Sequence, residues 1–332
     1  MSNVETRPDE VACGSTPADA DVSVLEPREV PLGGPRAMTV RRTLPARGRT
    51  MVGAWCFADH YGPDLVGGPD GTGGMTVPPH PHTGLQTVSW LFEGEITHRD
   101  SAGHHAQVLP GELNLMTAGR GISHSEVSTA DTEVLHGAQL WVALPAADRA
   151  TTPRFDHYAP DVVALAGVGG PGADVRVFLG SLAGSTSPVA TASPLLGAEV
   201  VLAPGADVDV AVDAGFEHGV LVDTGVIDVH GSEVLPGALA HLGTGRTAVR
   251  LRAGDEGARV LLLGGRPLGE QVVMWWNFVG ADHDEVVAAR ADWQAQVTDD
   301  GLVDGRFGRP VGETLPPVPA PTLPGTRLRP RG

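Results

Sequence analysis

The chain contains no lysine: all 23 basic residues are arginine, set against 40 acidic ones, for a formal charge of −17. Schiff-base catalysis and a phosphate-loop lysine are therefore excluded. Without a segregated basic stretch, a chain this acidic is repelled by a nucleic-acid backbone, so no direct nucleic-acid partner is expected. Only two cysteines occur, Cys13 in a polar segment and Cys56 in an apolar one. That argues against a disulfide framework and against a cysteine-rich metal or cluster site. Any metal chemistry falls to the 13 histidines and the carboxylates. Long apolar runs are missing too: stretches such as Val260–Leu263 fall far short of the roughly 18 residues a membrane span needs. The opening Met1-Ser2-Asn3-Val4-Glu5 has neither the basic start nor the apolar core of a secretory leader, and a cytoplasmic location is the expectation.

What is abundant is turn chemistry, with 45 glycines and 28 prolines in 332 residues of which 41% are hydrophobic. Short apolar or alternating runs broken by Gly, Pro and Asp predict an all-β chain with two cores. One helix is expected, over Asp284 to Val297, with Asp282 and Asp284 as candidate caps and Val286, Val287, Arg290 and Trp293 at helical spacing. Residues 1–27 are rich in Pro, Asp, Ala and Ser, and residues 309–332 in Pro; both are expected to be flexible tails. An internal repeat joins the two halves. Trp90-Leu91-Phe92-Glu93-Gly94-Glu95-Ile96 resembles Leu221-Val222-Asp223-Thr224-Gly225-Val226-Ile227, and Leu109-Pro110-Gly111-Glu112-Leu113 resembles Leu235-Pro236-Gly237-Ala238-Leu239. Two similar barrels are thus predicted, over 28–150 and 165–300, the second ending in the packing helix and joined to the first by a looser Pro145 to Gly172 region.

Residues two apart on a strand share a face, so His80 and His82 project together, and so do His124 and Glu126. Pro78-Pro79 precedes the first pair and Gly119-Arg120-Gly121 the second. If the two strands are neighbours, four ligands converge. Prolines at 79 and 81 donate no ladder hydrogen bond, which suits an edge strand or a barrel mouth. Three neutral imidazoles and a carboxylate form a donor set suited to one mononuclear Fe(II) ion, with Mn, Co, Ni, Cu and Zn also accommodated. Such a set leaves two octahedral positions for a chelating substrate and dioxygen. A lone His-x-His would be weak; the second pair, the flanking turns and the repeat all agree with the site.

The runs His80-Pro81-His82-Thr83-Gly84-Leu85-Gln86, His98-Arg99-Asp100-Ser101-Ala102-Gly103 and Met116-Thr117-Ala118-Gly119-Arg120-Gly121-Ile122-Ser123-His124-Ser125-Glu126 resemble the signature of the pirins, and Pro267-Leu268-Gly269-Glu270-Gln271-Val272 resembles a segment of their second domain. The resemblance, from about Arg28 to Phe307, implies two tandem cupin barrels of the jelly-roll type. It implies a metal on His80, His82, His124 and Glu126, and quercetin 2,3-dioxygenase activity on a small planar polyphenol with O2. Glu126 would then also serve as the catalytic proton acceptor. It equally implies an alternative, a redox- or metal-sensing regulatory protein that binds a protein partner without turnover. Gln86 departs from the pattern, since many relatives carry Glu there.

Applying the repeat takes His80 and His82 to Ala211 and Asp213, and His124 and Glu126 to Arg250 and Arg252. No ligand survives in the second barrel, and His218, His230 and His241 are expected to be structural or exposed. Asp100-Ser101-Ala102-Gly103 reads as a turn, His104 and His105 as exposed, Asp59-His60-Tyr61 as a candidate rim and Trp90 and Met116 as a candidate apolar wall. Elemental analysis of the purified protein should accordingly find about one transition-metal ion per chain; two tightly held ions would mean that the second barrel keeps a site of its own.

Overall fold

The computed structural model describes residues 22–32, 38–66 and 74–330. The described residues are all-β apart from one helix, His283–Gln296, whose N-cap Asp282 accepts from the Glu285 N–H as the sequence predicts. Each half folds as one seven-stranded and one four-stranded antiparallel sheet. In the first half the larger sheet runs Arg154–Tyr158, Leu113–Thr117, Leu85–Glu93, Val134–Ala143, Trp55–Leu65, Met38–Leu44, Arg28–Leu32. In the second it runs Ser23–Leu25, Leu239–Leu242, Glu217–Thr224, Ala258–Gly265, Leu195–Leu202, Ala173–Leu179, Val162–Leu165. The orders match strand for strand, and the repeat anchors Leu85–Glu93 and Glu217–Thr224 hold the same position.

The outermost strands depart from the expected boundaries. Ser23–Leu25, assigned to a flexible tail, pairs with Leu239–Leu242 of the second barrel, while Arg154–Tyr158, assigned to the joint, pairs with Leu113–Thr117 of the first. The halves therefore exchange edge strands, which such short, half-exposed segments could not have signalled. Residues 309–330 are not a free tail either. The Val318 N–H donates to Pro79 O at 2.8 Å, Ser125 Oγ donates to Glu313 Oε2 at 2.5 Å, and Trp293 Nε1 donates to Val318 O at 2.8 Å. Proline removes donors and stiffens an extended backbone, so the segment docks by single bonds and by burying Pro317, Ala320 and Leu328 rather than by a ladder. The remainder of the expected tails, residues 1–21 and 331–332, lies outside the described residues.

A continuous apolar layer fastens the barrels face to face, with Val88, Trp90, Leu115 and Leu140 of the first meeting Phe178, Leu221, Leu261 and Leu263 of the second. The Trp90 and Phe178 rings lie 4.5 Å apart, and Trp55 Nε1 donates across the interface to Leu196 O and Gly264 O, both at 3.1 Å. Asp223 of the second barrel pins the same interface: His60 Nε2 lies 2.6 Å and His136 Nε2 2.5 Å from its Oδ1. Burial alone would raise this carboxyl, yet the bonds from His136 and His60 outweigh it and hold it down at about 2, against an ordinary 3.8.

A depressed carboxyl stabilises the fold fully above its unfolded value and loses that contribution as the pH falls through its folded value. The gap corresponds to about 2 kcal/mol. Urea denaturation should therefore show Asp223→Asn costing about 2 kcal/mol at neutral pH and about half that near pH 3. A loss that does not change with pH would mean that the ionised carboxylate is not what binds the barrels.

Candidate metal centre

In the four-stranded sheet of the first barrel, Ile122–Ser128 lies between Thr76–His82 and Ile96–Asp100. The register sets His124 opposite His80, with a shift between His124 and Glu126 that brings Glu126 opposite Val77. On the other side His124 faces Asp100 and Glu126 faces His98. Two glycines shape the turns at the strand ends. Gly84 has φ +68 and a Cβ there would sit 2.1 Å from Val279 O; Gly119 has φ +52 and its Cβ would sit 2.0 Å from Thr151 O. No other residue fits either turn without moving backbone.

His80, His82 and His124 are fully buried and their donor atoms lie within 4.8 Å of one another. His80 Nδ1 donates to Pro78 O at 2.7 Å, which leaves Nε2 as a lone pair. That atom lies 2.7 Å from His124 Nε2, a convergence of donors that a cation between the rings would relieve. Burial pushes His80 down to about 4, and burial followed by the neighbouring imidazoles pushes His82 and His124 well below the usual range. The three rings are thus held neutral, the form that binds metal. Glu126, also fully buried, falls in an overlapping group with His98 and His124, its Oε1 accepting from Ser89 Oγ at 3.0 Å.

His98 has no role assigned from the sequence beyond its place in the signature run. Asp100 does form the expected turn, its Oδ1 accepting from the Ala102 and His104 N–H groups at 2.9 and 3.0 Å. His98, however, points inward, with Nδ1 3.4 Å from His124 Nδ1 and Nε2 3.4 Å from Asp100 Oδ2. Burial would raise Asp100, but bonds from His98 and from the His104 N–H outweigh it and hold the carboxyl below its usual value. An ionised Asp100 draws the His98 proton to Nε2, so Nδ1 accepts from His124 Nδ1–H and His124 Nε2 is free to bind a cation. Alternation along Ile96–Asp100 contained this signal; what it lacked was the strand order that sets His98 beside Glu126.

Other candidates separate by face. Gln86 lies on the side of Val88 and Trp90 and donates to Thr117 Oγ1 at 2.9 Å, away from the imidazoles. Trp90 packs between the barrels, whereas Met116 lies in a cluster with Phe57 and Trp141. Asp59 forms a buried ion pair with Arg42 at 2.6 Å, while His60 faces the second barrel. His104 is half-buried against Asp100 rather than free. His60, His136 and Asp223 form a further compact group, but Arg41 Nε donates to His60 Nδ1 at 3.0 Å. That fixes the proton on Nε2, where a metal would need the lone pair, so this group is a hydrogen-bonded pin and not a cation site.

The second barrel has no counterpart, and the structure moves the alignment by one residue. Val210 pairs with Val249 where His80 pairs with His124. The buried face is aliphatic, comprising Val208, Val210, Val249 and Leu251, whereas Arg250 and Arg252 point out to Asp207 at 2.7 and 3.1 Å. His218 is buried and held down at about 4 by burial, His230 accepts from the Arg250 N–H, and His241 lies 3.7 Å from Glu217.

Two tandem barrels of this build, one with an imidazole-lined interior and one filled with aliphatic side chains, define a bicupin. Family models for pirin and for the pirin C-terminal cupin domain match residues 37–142 and 197–299, and the chain belongs to the pirin family. It is 41% identical over 326 residues to a Pseudomonas aeruginosa protein named "Putative quercetin 2,3-dioxygenase PA1205", covering 98% of each. Among solved structures, a quercetin 2,3-dioxygenase of Acinetobacter baumannii superposes with a TM-score of 0.83 at 35% identity, over 93% of this chain and 97% of that one. The Escherichia coli pirin YhhW in complex with nickel(II) shares the fold with a TM-score of 0.56 at 19% identity, over 74% and 99%.

The relay through His98 makes a direct prediction. His98→Ala should weaken metal binding by about 10- to 100-fold in competition with a chelator, while Gln86→Ala leaves it unchanged. Equal affinity in wild type and His98→Ala would mean that the backbone alone orients His124.

Proposed function

We propose that this pirin is a metal-dependent dioxygenase of flavonol-type polyphenols, with its ion on His80, His82, His124 and Glu126. The observation that carries the reading is the convergence of three buried, neutral imidazoles beside a buried carboxylate in one barrel only. Bound there, a redox-active divalent ion such as iron(II) supplies positions for the substrate's hydroxyl oxygens and for dioxygen. Glu126 takes the proton from the flavonol 3-hydroxyl, and Ser89 Oγ, 3.0 Å from Oε1, holds the carboxylate in place. Ser89 Oγ also lies 2.9 Å from the Gln139 side-chain amide, so it is fixed between two strands.

The surrounding residues favour a flat aromatic substrate. Phe57 and Trp141 stack with centroids 4.0 Å apart, and the His82 ring meets Trp141 edge-on at 5.2 Å, which gives the imidazoles an aromatic flank. The docked C-terminal segment, through Val318 and Pro79, covers the proline-rich edge strand and limits water there. The relatives named as quercetin dioxygenases support the same reaction class.

The iron-loaded protein should consume oxygen with quercetin and yield a depside with release of carbon monoxide. His124→Ala should abolish the activity, and a flavonol lacking the 3-hydroxyl should be inert. If iron, manganese, cobalt, nickel and copper forms all leave quercetin unchanged in air while metal stays bound, the dioxygenase reading fails and a sensing role with a protein partner takes its place.

A further inference from the structure

At the turns next to the imidazole-bearing strands lies a cleft of about 240 Å³. Thr83 and Gly84, directly after His82, form one wall, and Gly119 and Arg120, shortly before His124, form another; Val279, Glu285 and Ala288 close it from the helix side. Three guanidinium groups line it: Arg120, Arg149 and Arg306. They come from three separate segments of a chain whose acidic residues outnumber its basic ones, 40 to 23. Convergence of like charges is unfavourable unless something compensates it.

The carboxylates nearby do not fully provide that compensation. Arg306 pairs through Nη1 with Asp292 at 3.0 Å and donates from Nε to Arg120 O at 2.7 Å. Arg120 donates to Thr152 Oγ1 at 2.9 Å and, among the described residues, has no carboxylate within ion-pair distance. Arg149 reaches Glu270 only through Nη2, at 3.4 Å. Its Nη1 is buried and has no hydrogen-bond partner among the described residues. A buried guanidinium nitrogen left without an acceptor is costly and rare in native proteins. Glu285, the one carboxylate on the wall, is engaged with the Ala281 N–H at 2.7 Å. Three guanidinium groups thus meet one carboxylate in the cleft, and one nitrogen of Arg149 has no acceptor among the described residues.

We infer that this cleft binds a small oxyanion, a phosphate or a carboxylate, held by the guanidinium groups of Arg120, Arg149 and Arg306. Guanidinium forks match both anions, and charge-assisted bonds of this kind are about twice as strong as neutral ones. The site is distinct from the metal centre, since none of His80, His82, His124 and Glu126 lines it.

The test is a calorimetric titration of the full, metal-loaded chain with inorganic phosphate and, separately, with succinate, at constant ionic strength. The wild type should bind at least one of them saturably at one site per chain, and the tighter arm identifies the anion class. Arg149→Gln should weaken that binding by about tenfold or more, whereas Arg252→Gln, at an exposed pair with Asp207 on the second barrel, should not. Should Arg149→Gln fail to fold by circular dichroism, Arg120→Gln, whose side chain bonds only to Thr152 among the described residues, is expected to weaken binding in its place. Absence of saturable binding of both anions to the wild type, or binding unaltered in the cleft variants, would overturn the inference.

Discussion

The pairing of Thr76–His82 with Ile122–Ser128 is the constraint on which the first barrel depends. Because the register puts His124 opposite His80, two imidazoles meet across one ladder step and His82 joins them from the next inward position. A slip of Thr76–His82 by one residue would turn His80 and His82 to the outer face, away from His124. The bends at Gly84 and Gly119, where a side chain would collide with Val279 O or Thr151 O, fix where the two strands end and thereby resist such a slip.

The same architecture in the second barrel shows what happens when that position is filled by valines. Val210 and Val249 pair as the histidines do, and the interior closes around Val220, Val222 and Leu262. Its opposite face supplies Phe178, Leu221 and Leu263 to the layer shared with the first barrel. The second barrel thus serves as a wall: it buries the outer surface of the first barrel's seven-stranded sheet and contributes Asp223 to the pin with His60 and His136.

Much of this was legible in the sequence. Strand alternation placed His80 with His82 and His124 with Glu126, and the repeat predicted two similar barrels, whose larger sheets do share one strand order. The helix was found within one residue at either end. What was not legible depends on contacts between distant segments. His98 carried the right alternation, but only the neighbouring strand makes it a partner of His124. The repeat offsets named Arg250 and Arg252 where the pairing selects Val249 and Leu251, because a one-residue shift in a period of two reverses the face. Ser23–Leu25 and the docked Pro-rich end looked like tails since both are short and polar-flanked, and their order comes from surfaces contributed elsewhere in the chain.

The claim that the first barrel holds one cation on His80, His82, His124 and Glu126 is tested most directly by anomalous diffraction from crystals of the metal-loaded protein, recorded at the absorption edge of the bound metal. The account predicts a single peak per chain, in contact with the three imidazoles and the Glu126 carboxylate. A peak between His60, His136 and Asp223, or one in which His98 takes the place of Glu126, would contradict it.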